Sequence, residues 1–219
     1  MAEAAIAITN ELPVPGNVPV SPKRMAIVAA AGKLFVGNGF GATSMDAIAA
    51  EANVSKRTVY SHFDNKEALF AGVMEEACTS QRGEEGCPLN CDADITAVPP
   101  KEMLHQVALH VLTIITAQQT TELFRVVMGE SGRFPELGRT FWDNGPGWVL
   151  ETVTDYLGAA TAAGLLNVDD PKKAARQFFG LMVDPIKLEL TLGLRGEPTA
   201  AEVETMSADA AEAFLKIYG

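Results

Sequence analysis

The fold of this chain is decided by residues 43–66, TSMDAIAAEANVSKRTVYSHFDNK, in which two short helical segments flank a tight turn. Thr43 or Ser44 can cap the first segment and Ser55 the second, because hydroxyl side chains accept hydrogen bonds from the exposed N–H groups of a helix's first turn. The run Asn53-Val54-Ser55 predicts the turn between them. Two short helices joined by such a turn, behind a supporting helix, are typical of a helix-turn-helix.

The second helix of this pair carries the side chains that would meet a nucleic acid. Its first turn, the part of a recognition helix that faces base edges in the major groove, holds Lys56, Arg57 and Thr58. Val59 and Phe63 lie four residues apart and are expected to face the core. Hydroxyl and imidazole groups that could reach phosphate oxygens follow at Tyr60, Ser61 and His62.

Competing interpretations exist for the same side chains. Tyr60 could pack against Phe40, and His62 could merely cap its helix. Lys56 and Arg57 could belong to an ordinary solvated face. Lys66 falls in the first turn of the next helix, whose N-terminal N–H groups favour an anion.

The charge distribution favours nucleic-acid binding by this segment alone. The net charge of the chain is −11, which by itself argues against a DNA-binding protein. Between Ser21 and Lys66, however, there are six basic and three acidic residues, a balance of +3 that leaves −14 for the rest. Such asymmetry steers DNA to one face and repels it elsewhere.

Outward from this segment, the sequence is helical almost throughout. Ser21-Pro22 begins the preceding helix with a cap and a proline at the first helical position, and Gly37-Asn38-Gly39 ends it. Asp64-Asn65 caps a helix from Lys66 to about Arg82. After a loop rich in glycine and proline, helical pattern resumes at Lys101 and continues, with interruptions, to Tyr218. We therefore predict an all-α protein.

Three segments resemble the DNA-binding signature of the tetracycline repressor (TetR) family: residues 39–49, GFGATSMDAIA, residues 52–63, ANVSKRTVYSHF, and residues 65–70, NKEALF. The resemblance implies phosphate contacts by Thr43, Ser44, Tyr60, His62 and Lys66, and base reading between Ser55 and Ser61. It implies a three-helix DNA-binding domain at residues 21–66 and a larger helical effector-binding and dimerisation domain at residues 67–219. The first twenty residues, with three prolines and no basic residue, are expected to form a flexible arm.

The second half of the chain, from Phe124 through Leu190, is similar to the C-terminal domain of the family's AefR-like branch. The last helix repeats apolar residues every three or four positions, as expected of helix-on-helix packing, and the preceding helix is apolar on nearly every side, with Pro185 expected to kink it. We expect these two helices to form a four-helix interface in a homodimer whose two-fold symmetry matches a palindromic double-stranded operator. The alternative is a single buried monomeric core.

An effector pocket should be mostly apolar with a few polar groups. Candidates for its lining, each of which could instead be plain core, are His105, Leu109, Phe124, Met128, Phe141, Trp142, Trp148, Tyr156, Phe178 and Met182. We expect a repressor that a small apolar or aromatic effector releases from DNA.

The three cysteines, Cys78, Cys87 and Cys91, support a rival hypothesis of a thiol-based redox or soft-metal sensor on the same scaffold. Their spacing matches no zinc ribbon, and they could simply be idle thiols. A helical interaction module that never touches DNA is a further alternative. No catalytic motif, metal site or cofactor is expected. The first twenty residues lack the basic and apolar regions of a secretory signal, and no apolar run would span a membrane, so we expect a cytoplasmic protein.

Overall fold

The computed structural model describes residues 21–82, 97–183 and 185–219, with the side chains of residues 78–82 left aside. The described residues form eleven α-helices and no strand, which confirms the all-α prediction. The helices are α1 (Pro22–Asn38), α2 (Met45–Glu51), α3 (Lys56–His62), α4 (Lys66–Arg82), α5 (Pro100–Thr116), α6 (Gln118–Glu130), α7 (Pro135–Asn144), α8 (Pro146–Ala162), α9 (Pro171–Val183), α10 (Ile186–Leu192) and α11 (Ala200–Tyr218).

Side-chain caps fix where several of these helices begin. The hydroxyls of Ser21, Ser44 and Ser55 each accept a hydrogen bond from a backbone N–H in the first turn of the helix that follows. Thr199 and Glu202 form a reciprocal capping box at the start of α11. Each cap satisfies N–H groups that have no partner within the helix, so the sequence and the structure agree on these starts.

A separation between two helices lies at the expected kink. The described part of α9 ends at Val183, and α10 begins at Ile186 with Pro185 as its N-cap residue. A proline lacks the N–H that would continue a helical ladder. Gly193, in the left-handed conformation with φ of 71°, ends α10.

Two apolar cores support the fold. One lies among α5, α8, α9, α10 and α11 and includes Leu104, Leu157 and Phe178. The other holds α1 to α4 together and also takes in Leu123 and Val127 of α6 and Leu137 of α7. The helix-turn-helix therefore rests on side chains that come from the C-terminal half of the sequence.

The prediction that α11 contributes to a dimer seam stays a prediction, and much of the apolar face of this helix already packs within the chain, although Ile217 is 64% exposed. Its apolar residues Val203, Ala210 and Phe214 are buried within the same chain, where α11 packs against α5 and α9. The side of α11 that faces solvent carries mainly polar residues, among them Glu204, Asp209 and Glu212. None of the helices in the described ranges is long and apolar enough to cross a bilayer.

Candidate nucleic-acid interface and buried cavity

Helices α2 and α3 form the paired unit that the sequence predicts. The turn between them is tight because Asn53 adopts the left-handed conformation with φ of 52°, which asparagine tolerates better than most residues. The N–H of Val54 donates to the carbonyl of Ala49 at 3.0 Å and closes this turn. Ile48 and Val59 are fully buried and hold the two helices on α1.

The outer side of α3 presents an exposed polar surface. Arg57, Tyr60 and Ser61 are exposed, and Tyr60 has 44% of its surface accessible. The hydroxyl of Ser61 donates to the carbonyl of Thr58 at 2.8 Å, and the side chain of His62 is partly buried. This side of α3 is therefore accessible to a DNA backbone or to base edges.

Lys56, at the start of α3, is engaged in an ion pair across the helix-turn-helix. Its Nζ lies 2.7 Å from Oδ1 of Asp46 on α2. The hydrogen bond and the charge of Asp46 raise the pKa of the Lys56 ammonium. Arg57 forms no ion pair with any residue in the described ranges, so it is the less encumbered of these two neighbouring cations.

Thr43 departs from the expectation of a phosphate contact. Its side chain is only 3% exposed, and its hydroxyl donates to the carbonyl of Gly39 at 2.8 Å and lies 3.1 Å from that of Leu34. The buried hydroxyl therefore ties the last turn of α1 to the loop before α2, and its bonds to these carbonyls leave it little exposed to a phosphate. Ser44 is exposed, and its hydroxyl accepts from the N–H of Ala47 as the cap of α2.

Lys66 also has a structural role that the sequence does not reveal. Its Nζ donates to the carbonyls of Phe40 at 2.7 Å and Thr43 at 2.9 Å. The ammonium also lies 4.3 Å from the centre of the Phe40 ring, within cation–π range. Lys66 thus fastens the start of α4 to the loop between α1 and α2, and any phosphate contact would compete with these bonds.

The same loop is held from the C-terminal half of the chain. Oε2 of Glu130, the last residue of α6, accepts a hydrogen bond from the N–H of Gly41 at 2.8 Å. The ring of Phe134 meets that of Phe40 edge-on, with centroids 5.2 Å apart. The loop at residues 39–44 together with α2 and α3, which we call the DNA-facing unit, is therefore connected to the larger helical part by a polar and an aromatic contact.

A largely apolar cavity, partly open to solvent, lies in the helical part and has a volume of about 60 Å³. Its walls come from seven helices, including α4, α5 and α10. The lining residues are Met74, His110, Val111, Ile114, Ile115, Thr120, Phe141, Asn144, Gly145, Pro146, Trp148, Val149, Phe179 and Lys187.

Few of the residues predicted for an effector pocket line this cavity. Trp148 and Phe141 do, and Phe124 stacks on Phe141 with centroids 5.3 Å apart. Met128 is 63% exposed on α6, and Trp142 is 49% exposed in a shallow outer cleft, so neither lines the cavity.

The remaining predicted pocket residues lie elsewhere. Tyr156, Phe178 and Met182 are buried in the C-terminal core, and Leu109 packs against it. His105 lies beside α11, with Nε2 3.1 Å from Oε1 of Glu204. These residues therefore lie outside the lining of this cavity, and a contact of any of them with an effector stays a prediction.

The cavity residues that the sequence did not single out include four polar ones, which are His110, Thr120, Asn144 and Lys187. Thr120 is buried, and its hydroxyl has no hydrogen-bond partner among the described residues. Lys187 is the only basic residue of α10, which is a weak signal in the sequence that could have marked it. Of the cysteines, Cys87, Cys91 and the side chain of Cys78 lie outside the described residues. Within those residues no cluster of potential metal ligands occurs.

Comparison with known proteins agrees with this architecture. Residues 27–73 match the model of bacterial regulatory proteins of the tetR family, and residues 102–219 match the C-terminal domain of AefR-like transcriptional repressors. The chain therefore belongs to the TetR family of DNA-binding transcriptional regulators, with an AefR-like C-terminal domain. The family binds operator DNA and small-molecule effectors and is not enzymatic.

Two solved structures resemble nearly the whole chain. A TetR-family transcriptional regulator from Mesorhizobium loti is 28% identical with a TM-score of 0.73, and the match covers 92% of this chain and 99% of the other. The flavonoid-responsive regulator FrrA is 35% identical with a TM-score of 0.68, and the match covers 90% of this chain and 96% of the other.

Matches to curated relatives are confined to a smaller region. The transcriptional activator FasR of Mycolicibacterium smegmatis is 39% identical over 61 residues, 27% of this chain and 28% of its own length. The uncharacterized regulator YerO of Bacillus subtilis is 33% identical over 85 residues, 39% of this chain and 28% of its own length. This chain thus matches little more than a quarter of the length of either relative.

Proposed function

We propose that this protein is a homodimeric repressor that binds a palindromic operator and leaves it when a small apolar or aromatic molecule enters the buried cavity. The observation that carries the proposal is the position of Met74. This residue lines the cavity and belongs to α4, a helix that only three residues separate from the recognition helix α3. One helix is therefore both a wall of the cavity and the support of the DNA-facing unit.

The size of the cavity supports a mechanical link. Ligand pockets usually enclose about 300–1,000 Å³, whereas this cavity has a volume of about 60 Å³. A ring-sized ligand must therefore push its walls apart. Packed side chains shift as units, because protein interiors have little free space. Displacing Met74 would move α4.

Movement of α4 would reach the DNA-facing unit through Lys66. That residue is in the first turn of α4, and its Nζ holds the carbonyls of Phe40 and Thr43. In a dimer, the two recognition helices must meet major grooves one helical turn apart, about 34 Å. A ligand that prefers the displaced arrangement would therefore release DNA, since a ligand shifts an equilibrium only by its differential affinity.

The dimer interface proposed here lies on α9 and α10 instead of α11. Leu181, Leu188 and Leu192 are large apolar residues that stand 41%, 58% and 62% exposed on these two helices. Leu188 and Leu192 are four residues apart and therefore share one face of α10. Analytical ultracentrifugation should give a dimer, and the double variant Leu188→Glu with Leu192→Glu should shift it toward monomer.

Selection of bound sites from random duplex DNA at two salt concentrations tests the central claim. We expect an enriched palindrome whose affinity falls steeply with salt, because phosphate contacts release counterions. Arg57→Ala should relax base preference at specific positions, whereas Tyr60→Phe should weaken binding to all sequences alike. Binding without sequence preference, or no binding, would contradict the operator model and favour an interaction module.

The direction of regulation is tested separately with a reporter gene under the selected operator. FasR is described as an activator, so similarity near the helix-turn-helix does not fix the sign. FrrA is described as responsive to flavonoids, which supports an aromatic effector for a related C-terminal domain. Deletion of this protein's gene should raise reporter expression; a fall would contradict the repressor role.

A further inference from the structure

Lys187 is the only lysine or arginine in the lining of the buried cavity described here. Its Nζ donates to the carbonyl of Ile115 at 2.7 Å and lies 3.4 Å from the hydroxyl of Thr121. The ammonium is also 4.9 Å from the centre of the Phe124 ring. These contacts hold the charge at the cavity wall, between α10, α5 and α6.

No carboxylate in the described part of the chain forms an ion pair with this lysine, and none lines the cavity. The charge that acts on it is another cation, Arg125, whose guanidinium donates to the carbonyls of Leu190 and Thr191. Burial, and then the charge of Arg125, lower the pKa of Lys187 to about 8. The lysine is still mostly protonated at neutral pH and carries a charge that the protein does not neutralise.

We propose that the effector carries an ionised acidic group, a carboxylate or an acidic phenol, which pairs with Lys187 while its apolar body occupies the rest of the cavity. This inference rests on the proposed function, because it names the chemistry of the ligand for the same cavity. Thr120, which is only 5% exposed, supplies a second polar contact. Its hydroxyl lies in the lining and has no hydrogen-bond partner among the described residues.

Physical chemistry favours an anion over a neutral ligand of the same shape. A neutral apolar ligand would remove more solvent from the Lys187 ammonium without replacing it, and burying an unpaired charge is costly. An anion would instead form a charge-assisted hydrogen bond, which is about twice as strong as a neutral one. The site should therefore discriminate between an acid and its neutral isostere.

Calorimetric titration of the full-length protein with two matched ligand pairs tests this. One pair is decanoate and decanamide, and the other is 7-hydroxyflavone and its 7-methoxy analogue; together they distinguish a carboxylate from an acidic phenol. The wild-type protein should bind the acidic member at least tenfold more tightly than its neutral partner in one pair. Lys187→Met should reduce this preference to within about twofold, Lys187→Arg should retain it, and Lys173→Met on the exposed side of α9 should leave it unchanged.

The opposite results are equally clear. Equal affinity, or no binding, within both pairs would overturn the inference, and so would a preference that survives Lys187→Met. In that case Lys187 serves only to fasten α10 to α5. Far-ultraviolet circular dichroism verifies that each variant is folded.

A mobility-shift assay on the selected operator separates this inference from the proposed function. An acid that binds through Lys187 without releasing DNA would support the anion site and refute effector control. Release of DNA by neutral ligands, independent of Lys187, would support effector control and refute the anion site.

Discussion

Oε2 of Glu130 accepts a hydrogen bond from the backbone N–H of Gly41 at 2.8 Å, across 89 residues of sequence. The bond joins the last residue of α6 to the loop that precedes α2. Through this contact, a change in the helical part would reach the DNA-facing unit. The strength of this bond can be measured directly.

Glu130→Ala should lower the free energy of unfolding by about 1–2 kcal/mol, because the carboxylate makes a charge-assisted hydrogen bond to a partly buried N–H. Glu130→Gln keeps an acceptor and should lose less. Chemical denaturation measures both, and amide hydrogen exchange at Gly41 should accelerate in the alanine variant. Unchanged stability and exchange in Glu130→Ala would show that the bond does not hold the loop.

Gly39→Ala should destabilise the protein by about 1–3 kcal/mol. Gly39 has φ of 84°, and a Cβ at this position would lie 2.5 Å from Oε1 of Glu130. The matched control is Gly37→Ala near the end of α1, where nothing lies within 4 Å of the added Cβ. That substitution should stabilise by up to about 1 kcal/mol, since alanine favours the helix. Equal thermal midpoints for the two variants would contradict the strain and the close contact expected of a side chain at position 39.

Asp46→Asn should strengthen binding to DNA several-fold and increase its dependence on salt by about one ion. The substitution frees the Lys56 ammonium, which now lies 2.7 Å from the Asp46 carboxylate, and removes a negative charge from the DNA-facing surface. The control is Glu51→Gln, which frees Lys33 from its ion pair with Glu51. Fluorescence anisotropy at several salt concentrations compares the two. An equal gain from both would point to net charge instead of the position of Lys56.

Lys187 should make stability rise with pH between about 8 and 10.5. Its pKa is lowered from 10.5 to about 8 in the folded protein, mainly by burial. In that interval the unfolded chain binds more protons at this site, so stability increases as pH rises. The gain should be on the order of 1–2 kcal/mol after allowance for partial exposure.

The comparison that isolates this group is Lys187→Met against the wild type. Between about pH 8 and 10.5, the free energy of unfolding of the wild type should rise relative to that of Lys187→Met. A difference that stays constant across this interval would rule out the lowered pKa of Lys187.

Sequence reasoning predicted the helices well because their signals are local. Ser44 and Ser55 cap the helices they precede, and Pro185 interrupts the helix around it, through bonds made or lost within a few residues. The side chains of Thr43 and Lys66 were harder to predict. Each bonds to backbone carbonyls brought near by the fold, and a hydroxyl or an ammonium looks the same in sequence whether it faces DNA or a carbonyl.

The cavity was predicted poorly for a related reason. Large apolar residues such as Met128 and Phe178 satisfy the same pattern whether they are exposed, in the core or at a pocket wall, and only packing separates these cases. Lys187 and Thr120 come from helices that are distant in sequence. Their shared cavity depends on tertiary contacts that periodicity does not encode.

The second core has a consequence for how regulators of this kind can be recombined. Leu123 and Val127 of α6 and Leu137 of α7 complete the apolar floor beneath α1 to α4. A hybrid made by grafting only the N-terminal segment onto another sensor would expose the underside of that segment and lose the partner of Gly41. A working graft must carry the matching face of α6 and α7 along with it. In this molecule the portion that can be exchanged as a module is larger than the portion that meets DNA.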